Sequence, residues 1–102
     1  MHDMVRDLGE MAVDEAYGAH NYAKLAVENK KEYPQMADAV ATMASQEVQH
    51  AETLLKNAKL ILDSHQKDEH YEGVKYLYNY MHDKTWEQIE ATKVCLEKYK
   101  LM

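Results

Sequence analysis

Two stretches of the sequence place carboxylate and imidazole side chains where a pair of helices could bring them together. Glu15 lies in an apolar stripe that repeats every three or four residues, and the motif Glu-x-x-His, from Glu47 to His50, interrupts a second such stripe. Successive helical residues turn by about 100°, so Tyr22 shares the face of Glu15 and His50 lies about 60° from Glu47. Charged groups on faces that should be dry must be neutralised, paired or bound to a cation.

The bend between the two apolar stripes determines which residues of the two helices lie at the same height. Pro34 cannot continue a preceding helix but suits the first turn of a new one, so residues 30–33 are predicted to join two antiparallel helices. Glu15 and His50 are each about 17 residues from the centre of this bend, or about 26 Å along a helix, and Glu47 falls within one turn of that level. A metal ion fits the three groups best, and mixed carboxylate and imidazole donors suit iron or manganese.

The elements that carry these residues are predicted to be three helices, over about 3–31, 34–63 and 74–99, in a single domain of residues 1–102. No segment alternates apolar with polar residues as a half-buried strand would, so the fold class is all-α. The polar tract 64–72 and Gly73 predict a loop. The predicted inward line of the first helix is Met4, Leu8, Met11, Glu15, Ala19, Tyr22 and Ala26. That of the second is Met36, Val40, Met43, Ala44, Glu47, His50, Ala51, Leu54, Ala58, Ile61 and Leu62. That of the third is Val74, Tyr78, Met81, Thr85, Ile89, Thr92, Leu96 and Tyr99.

Composition excludes several classes of function. The net charge of −6 disfavours nucleic acid and anionic membrane surfaces, and no apolar run approaches the roughly 20 residues that cross a bilayer. The first residues lack the pattern of a signal peptide, so a cytoplasmic protein is expected. Cys95 is the single cysteine, which rules out an internal disulfide and a site of several thiolates within one chain.

A second copy of the chain is predicted for two reasons. Leu, Ile and Val are scarce in the 102 residues, so one chain could hardly bury enough apolar surface alone. One helix pair also supplies only about half the ligands that two six-coordinate metals need. The third helix adds no carboxylate, because none of its acidic residues lies on its inward face. The ring of His82, about 60° from Thr85, is the nearest group there. Two hairpins related by a twofold axis would form a four-helix bundle with four glutamates and two histidines, as a homodimer or a higher homo-oligomer.

The same residues resemble a known family. The stretches from Asp14 to Ala26 and from Ser45 to Glu52, with their Glu-x-x-His-Ala core, look like the first two helices of the rubrerythrin branch of the ferritin-like superfamily. The segment from Tyr80 to Lys100 resembles the tail of short bacterial and prophage ferritin-like proteins. The resemblance covers roughly residues 3–62. Unlike full-length rubrerythrins, this sequence has no second Glu-x-x-His helix and no cysteine pairs of a rubredoxin-like domain.

The resemblance implies a non-haem di-iron site, or a di-manganese site, that reacts with peroxide or dioxygen as a peroxidase or ferroxidase does. Glu15, Glu47 and His50 would be the metal ligands, with Glu47 bridging the two ions. Tyr22 would be the candidate catalytic side chain beside the metals. Electrons would come from a donor protein that the sequence does not identify.

A second interpretation needs no metal. Glu15, Glu47 and His50 could pair across a helical dimer, while the third helix presents Tyr76, Tyr80 and Trp86 to another protein. The remaining histidines are predicted at the surface or its boundary, and Cys95 as a small buried apolar side chain. The surface histidines are His2, His20, His65 and His70, and the boundary histidine is His82.

Overall fold

The computed structural model describes all 102 residues and consists of three α-helices and no strand. Helix α1 spans His2–Asn29, α2 spans Pro34–Asp63 and α3 spans Tyr71–Leu101. The all-α prediction is therefore confirmed, and α2 begins at the proline that the sequence placed in its first turn. Helix α3 begins three residues before the expected start at Val74, because Tyr71 packs against the core and extends the helix into the polar tract.

The core shows how the helices run. One cluster joins the first half of α1 to the end of α2 and the start of α3, and its members are Val5, Ala12, Leu55, Ala58, Leu62, Val74 and Tyr78. The middle cluster is Ala16, Ala19, Val48, Ala51 and Ile89. The last is Ala26, Ala37 and Tyr99. The α2 numbers fall as the α1 numbers rise, so α2 is antiparallel to α1, whereas α3 runs parallel to α1.

Alanine lines the contact between α1 and its neighbours. The buried residues of α1 are Val5, Gly9, Ala12, Ala16, Ala19, Ala23 and Ala26. Met4 and Met11, which the sequence analysis placed on the inward line, are about half exposed. The predicted line is confirmed at Ala19 and Ala26, which are buried, and wrong at the two methionines. Small side chains let helix backbones approach closely, so the alanine row fits the contact better than the methionines do. In α2, Met36 and Met43 are exposed for the same reason.

The inward line predicted for α3 is confirmed, with every member buried except the half-buried Leu96. Thr85 and Thr92 are fully buried, and each hydroxyl donates a hydrogen bond of 2.7 Å to the backbone carbonyl four residues earlier. Their polar groups therefore need no partner from another helix.

The molecule is a rod of 55 × 16 × 14 Å, and α3 leaves one face of the α1–α2 hairpin without cover. None of the three helices combines the length and apolar character that a bilayer span requires. The uncovered face carries partly exposed apolar side chains that lie within about 80° of Glu15 or Glu47 on their helices. These side chains are Met4, Met11, Leu25, Met36 and Met43.

Tyr99 fastens the end of α3 to the turn between α1 and α2. Its hydroxyl donates a hydrogen bond to Asp38 Oδ1. Lys30 Nζ donates one of 2.7 Å to the Tyr99 carbonyl and lies 4.2 Å from the centre of its ring. The hydrogen bond to the carboxylate, with a smaller contribution from burial, raises the pKa of Tyr99 to about 12, because the phenolate would lose that bond and face a second negative charge.

We expect Tyr99→Phe to remove a pH-dependent part of the stability. The unfolded chain loses the tyrosine proton first, so this stabilisation is complete below the ordinary pKa of 10.0 and is lost as pH rises through about 12. Wild type should exceed Tyr99→Phe in free energy of unfolding at pH 8, and the difference should shrink between pH 10 and 12. Denaturant titrations at stepped pH measure it. Tyr76→Phe, at an exposed tyrosine of the same helix, is the control, and a difference that ignored pH would contradict the assignment.

Candidate metal centre

The structure brings together the three side chains that the sequence placed at one level. Glu15 lies near the middle of α1, and Glu47 and His50 lie one turn apart on α2. His50 Nδ1 is 3.8 Å from Glu15 Oε2 and 3.6 Å from Glu47 Oε1. The prediction that counting residues from the bend aligns these groups is confirmed. They are called the Glu-Glu-His cluster below.

A rigid part of the core supports the cluster from behind. Ala16 and Val48, next in sequence to Glu15 and Glu47, belong to the middle core cluster together with Ile89 of α3. These neighbours are buried, so the backbone that carries the two carboxylates has little freedom to shift. Gly18 lies beside the cluster, where an added Cβ atom would be in ordinary van der Waals contact with Glu47 Oε2, at 3.9 Å.

The cluster is wetter than the sequence analysis expected. The side chain of His50 is 58% exposed, and those of Glu15 and Glu47 are 31% and 27% exposed. The expectation of a dry face is therefore wrong for the single chain. The physical reason is the phase of the helices, because the alanine rows turn inward and leave the cluster on the uncovered face.

One atom of the cluster lacks the partner that its burial demands. Glu15 Oε2 is shielded from solvent and accepts no hydrogen bond. A buried carboxylate oxygen without a partner is costly, whereas a cation beside it would satisfy it. One atom from each of the three side chains lies within 4.8 Å of the other two, so a small inward movement would place all three around one ion. The residues fit a metal in donor type and in spacing.

An open groove of about 330 Å³ adjoins the cluster and brings in two further side chains. It is lined by Met11, Asp14, Glu15 and Glu47. Met11 lies one turn before Glu15, a spacing that predicted an inward-facing core position for it. Asp14 precedes Glu15 directly and follows Met11 by three residues, so the helical spacing places it on the same side of α1, although it was not predicted as a site residue. Its carboxylate adds negative charge where a cation would enter.

Tyr22 is not among the residues that line the groove beside the cluster. Tyr22 is half-buried and lies seven residues beyond Glu15, about 10 Å along the helix, and its hydroxyl makes no hydrogen bond. Its role as the candidate catalytic side chain stays a prediction. The ring of His82 stands between those of Tyr78 and Trp86, with centroids 5.9 and 6.1 Å away.

His20 and Cys95 are both half-buried. His20, expected at the surface, is half-buried, and its Nδ1 donates a hydrogen bond of 2.9 Å to Gln88 Oε1, which joins α1 to α3. That expectation was wrong because the partner on α3 lies 68 residues away in sequence. Cys95 is half-buried, less than the buried position that was expected, and burial raises the pKa of its thiol.

Comparisons with known proteins give no relative from which a function could be carried over. No family model matches the chain, and neither the curated proteins nor the solved structures yield a match. The resemblance to the rubrerythrin branch therefore stays a hypothesis that rests on the quoted motifs. Functional inference must start from the Glu-Glu-His cluster.

Proposed function

We propose that this chain is a non-haem metal protein whose Glu15, Glu47 and His50 bind iron, or alternatively manganese, at a site shared between two copies. The observation that carries the proposal is the buried, unpartnered oxygen of Glu15 beside a second carboxylate and an imidazole. Two carboxylates held this close repel each other, and a cation turns that repulsion into attraction. Carboxylate oxygen and imidazole nitrogen together suit iron and manganese.

Sharing between two copies is supported by what a single chain lacks. One chain offers one ligand set of three residues, and this set lies on a face that no other element of the chain covers. Methionines flank the set on both helices, so a second hairpin laid against this face would bury apolar surface around it. Four glutamates carry four negative charges, which two divalent cations neutralise. Dimerisation would thus complete both the ligands and the charge balance.

The residues of the site would have different roles. The resemblance to the Glu-x-x-His motif of the rubrerythrin branch implies that Glu15, Glu47 and His50 would hold the ions, with Glu47 as the carboxylate that the ions would share. Bound iron would supply electrons to hydrogen peroxide or dioxygen, as in a peroxidase or ferroxidase, with re-reduction by a donor protein. The apolar face around the cluster would limit the access of water, which strengthens the hold of the carboxylates on the ions.

The decisive experiment measures metal content and mass together. Protein purified without nickel affinity is loaded anaerobically with Fe(II) or Mn(II), separated from free metal, and submitted to elemental analysis and light scattering. We expect two metal ions per dimer and a mass of twice 11.9 kDa, or an even multiple. A dimer that binds neither metal would favour the metal-free interpretation, in which α3 offers the exposed Tyr76 and Tyr80 to a partner.

A further inference from the structure

Each carboxylate of the cluster has a methionine one helical turn before it. Met11 precedes Glu15 by four residues in α1, and Met43 precedes Glu47 by four residues in α2. Residues four apart on a helix are surface neighbours, with Cβ atoms about 5–6 Å apart. Of the two methionines, Met11 alone lines the groove that also contains Glu15 and Glu47. Its thioether therefore shares one cavity with two of the proposed ligands.

Exposure does not distinguish Met11 from methionines elsewhere. In the single chain, Met4, Met11 and Met102 are 53%, 51% and 54% exposed, so an oxidant dissolved in bulk solvent would reach the three alike. In the proposed dimer the second hairpin would cover Met4 and Met11, so bulk oxidant alone would favour Met102. Met4 lies seven residues before Met11 on the same helix, about 10 Å further from the cluster, and Met102 follows the end of α3. These two side chains provide internal standards for any chemistry that is localised at the groove.

We propose that Met11 is an oxidative modification site, converted to its sulfoxide before the other methionines when the metal-loaded protein meets hydrogen peroxide. This inference rests on the proposed function. In the step, the sulfur forms a bond to one peroxide oxygen while the O–O bond breaks, and the second oxygen leaves as water with both protons. The sulfur is oxidised by two electrons and the peroxide is reduced by two. Proximity favours Met11 because oxidant drawn to the cluster is concentrated in the groove.

The test compares methionines within one molecule. Wild type is loaded anaerobically with Fe(II) and treated with an excess of hydrogen peroxide over sites, so that peroxide remains after the bound Fe(II) has been oxidised. The protein is then quenched and digested, and each sulfoxide is quantified by mass spectrometry. We expect Met11 to lead Met4 and Met102 by about tenfold, an effect of local concentration. In metal-free wild type, and in Glu47→Gln treated in the same way, Met11 should have no lead over Met4 or Met102. Met102→Leu is the control variant and should leave the lead of Met11 unchanged.

The outcomes separate this inference from the proposed function, because elemental analysis is performed on the same samples. Bound iron with no lead for Met11 overturns the inference and leaves the metal site standing. A lead that persists in metal-free protein also overturns it, since the groove alone would then select Met11. Absence of bound iron overturns the proposed function and this inference together.

Discussion

Mn(II) should raise the free energy of unfolding of the wild-type protein and leave that of Glu47→Gln unchanged. A ligand that binds only the folded state stabilises it by about 2.7 kcal/mol when its free concentration is a hundred times Kd. Mn(II) avoids oxidation during heating, so the midpoint of thermal unfolding with metal and with chelator measures the effect. Protein concentration must be constant, because dimerisation also contributes to the midpoint.

Without metal, Glu47→Gln is expected to have no loss of stability relative to wild type. Glutamine keeps the size of Glu47 but removes its charge, so the like-charge repulsion with Glu15 disappears. In chelator, Glu47→Gln should therefore be at least as stable as wild type, although it gains nothing from metal. Glu52→Gln changes an exposed glutamate five residues further along α2 and should respond to Mn(II) as wild type does. Equal responses of the Glu47 and Glu52 variants would argue against a ligand role for Glu47.

The parts of the fold that sequence could predict are those fixed by local chemistry. Pro34 marks the start of α2 because its ring restricts the backbone and it has no N–H to donate. Once the bend is known, counting residues places Glu15 and His50 at one level, because the rise per residue of a helix is constant. No knowledge of packing is needed for either step, and both agree with the structure.

The sequence could not predict which of two neighbouring faces of a helix would be buried. In α1 the methionine line and the alanine line lie within about 100° of each other, and each has helical spacing. The choice between them is made by how closely α2 and α3 approach, which favours Ala12, Ala16 and Ala19 over Met4 and Met11. The exposure of the cluster follows from that choice, and its eventual cover depends on a second molecule.

The largest loss of stability is expected from Ile89→Ala. Ile89 is fully buried in the middle core cluster, where its α1 and α2 neighbours are mostly alanine. Apart from the half-buried Trp86, which packs against the cluster, the neighbours are small, so the substitution leaves a cavity behind Glu15 and Glu47. Truncating a buried isoleucine to alanine costs about 2–5 kcal/mol, a large share of the roughly 5–15 kcal/mol that stabilises an ordinary domain. Denaturant unfolding of wild type and variant in chelator measures the loss.

Ile89→Ala also distinguishes a residue that supports the metal site from a residue that binds the metal. Ile89→Ala keeps all three ligands, so Mn(II) should still stabilise it, whereas Glu47→Gln should keep its stability in chelator and lose the response to metal. Val94→Ala is the matched control, because Val94 lies on the same helix and is 71% exposed. Its free energy of unfolding should stay within about 0.5 kcal/mol of wild type. If Val94→Ala cost as much as Ile89→Ala, burial could not explain the loss, because Val94 is exposed and alanine has the higher helix propensity. The middle cluster would then not be what holds the two glutamates in place.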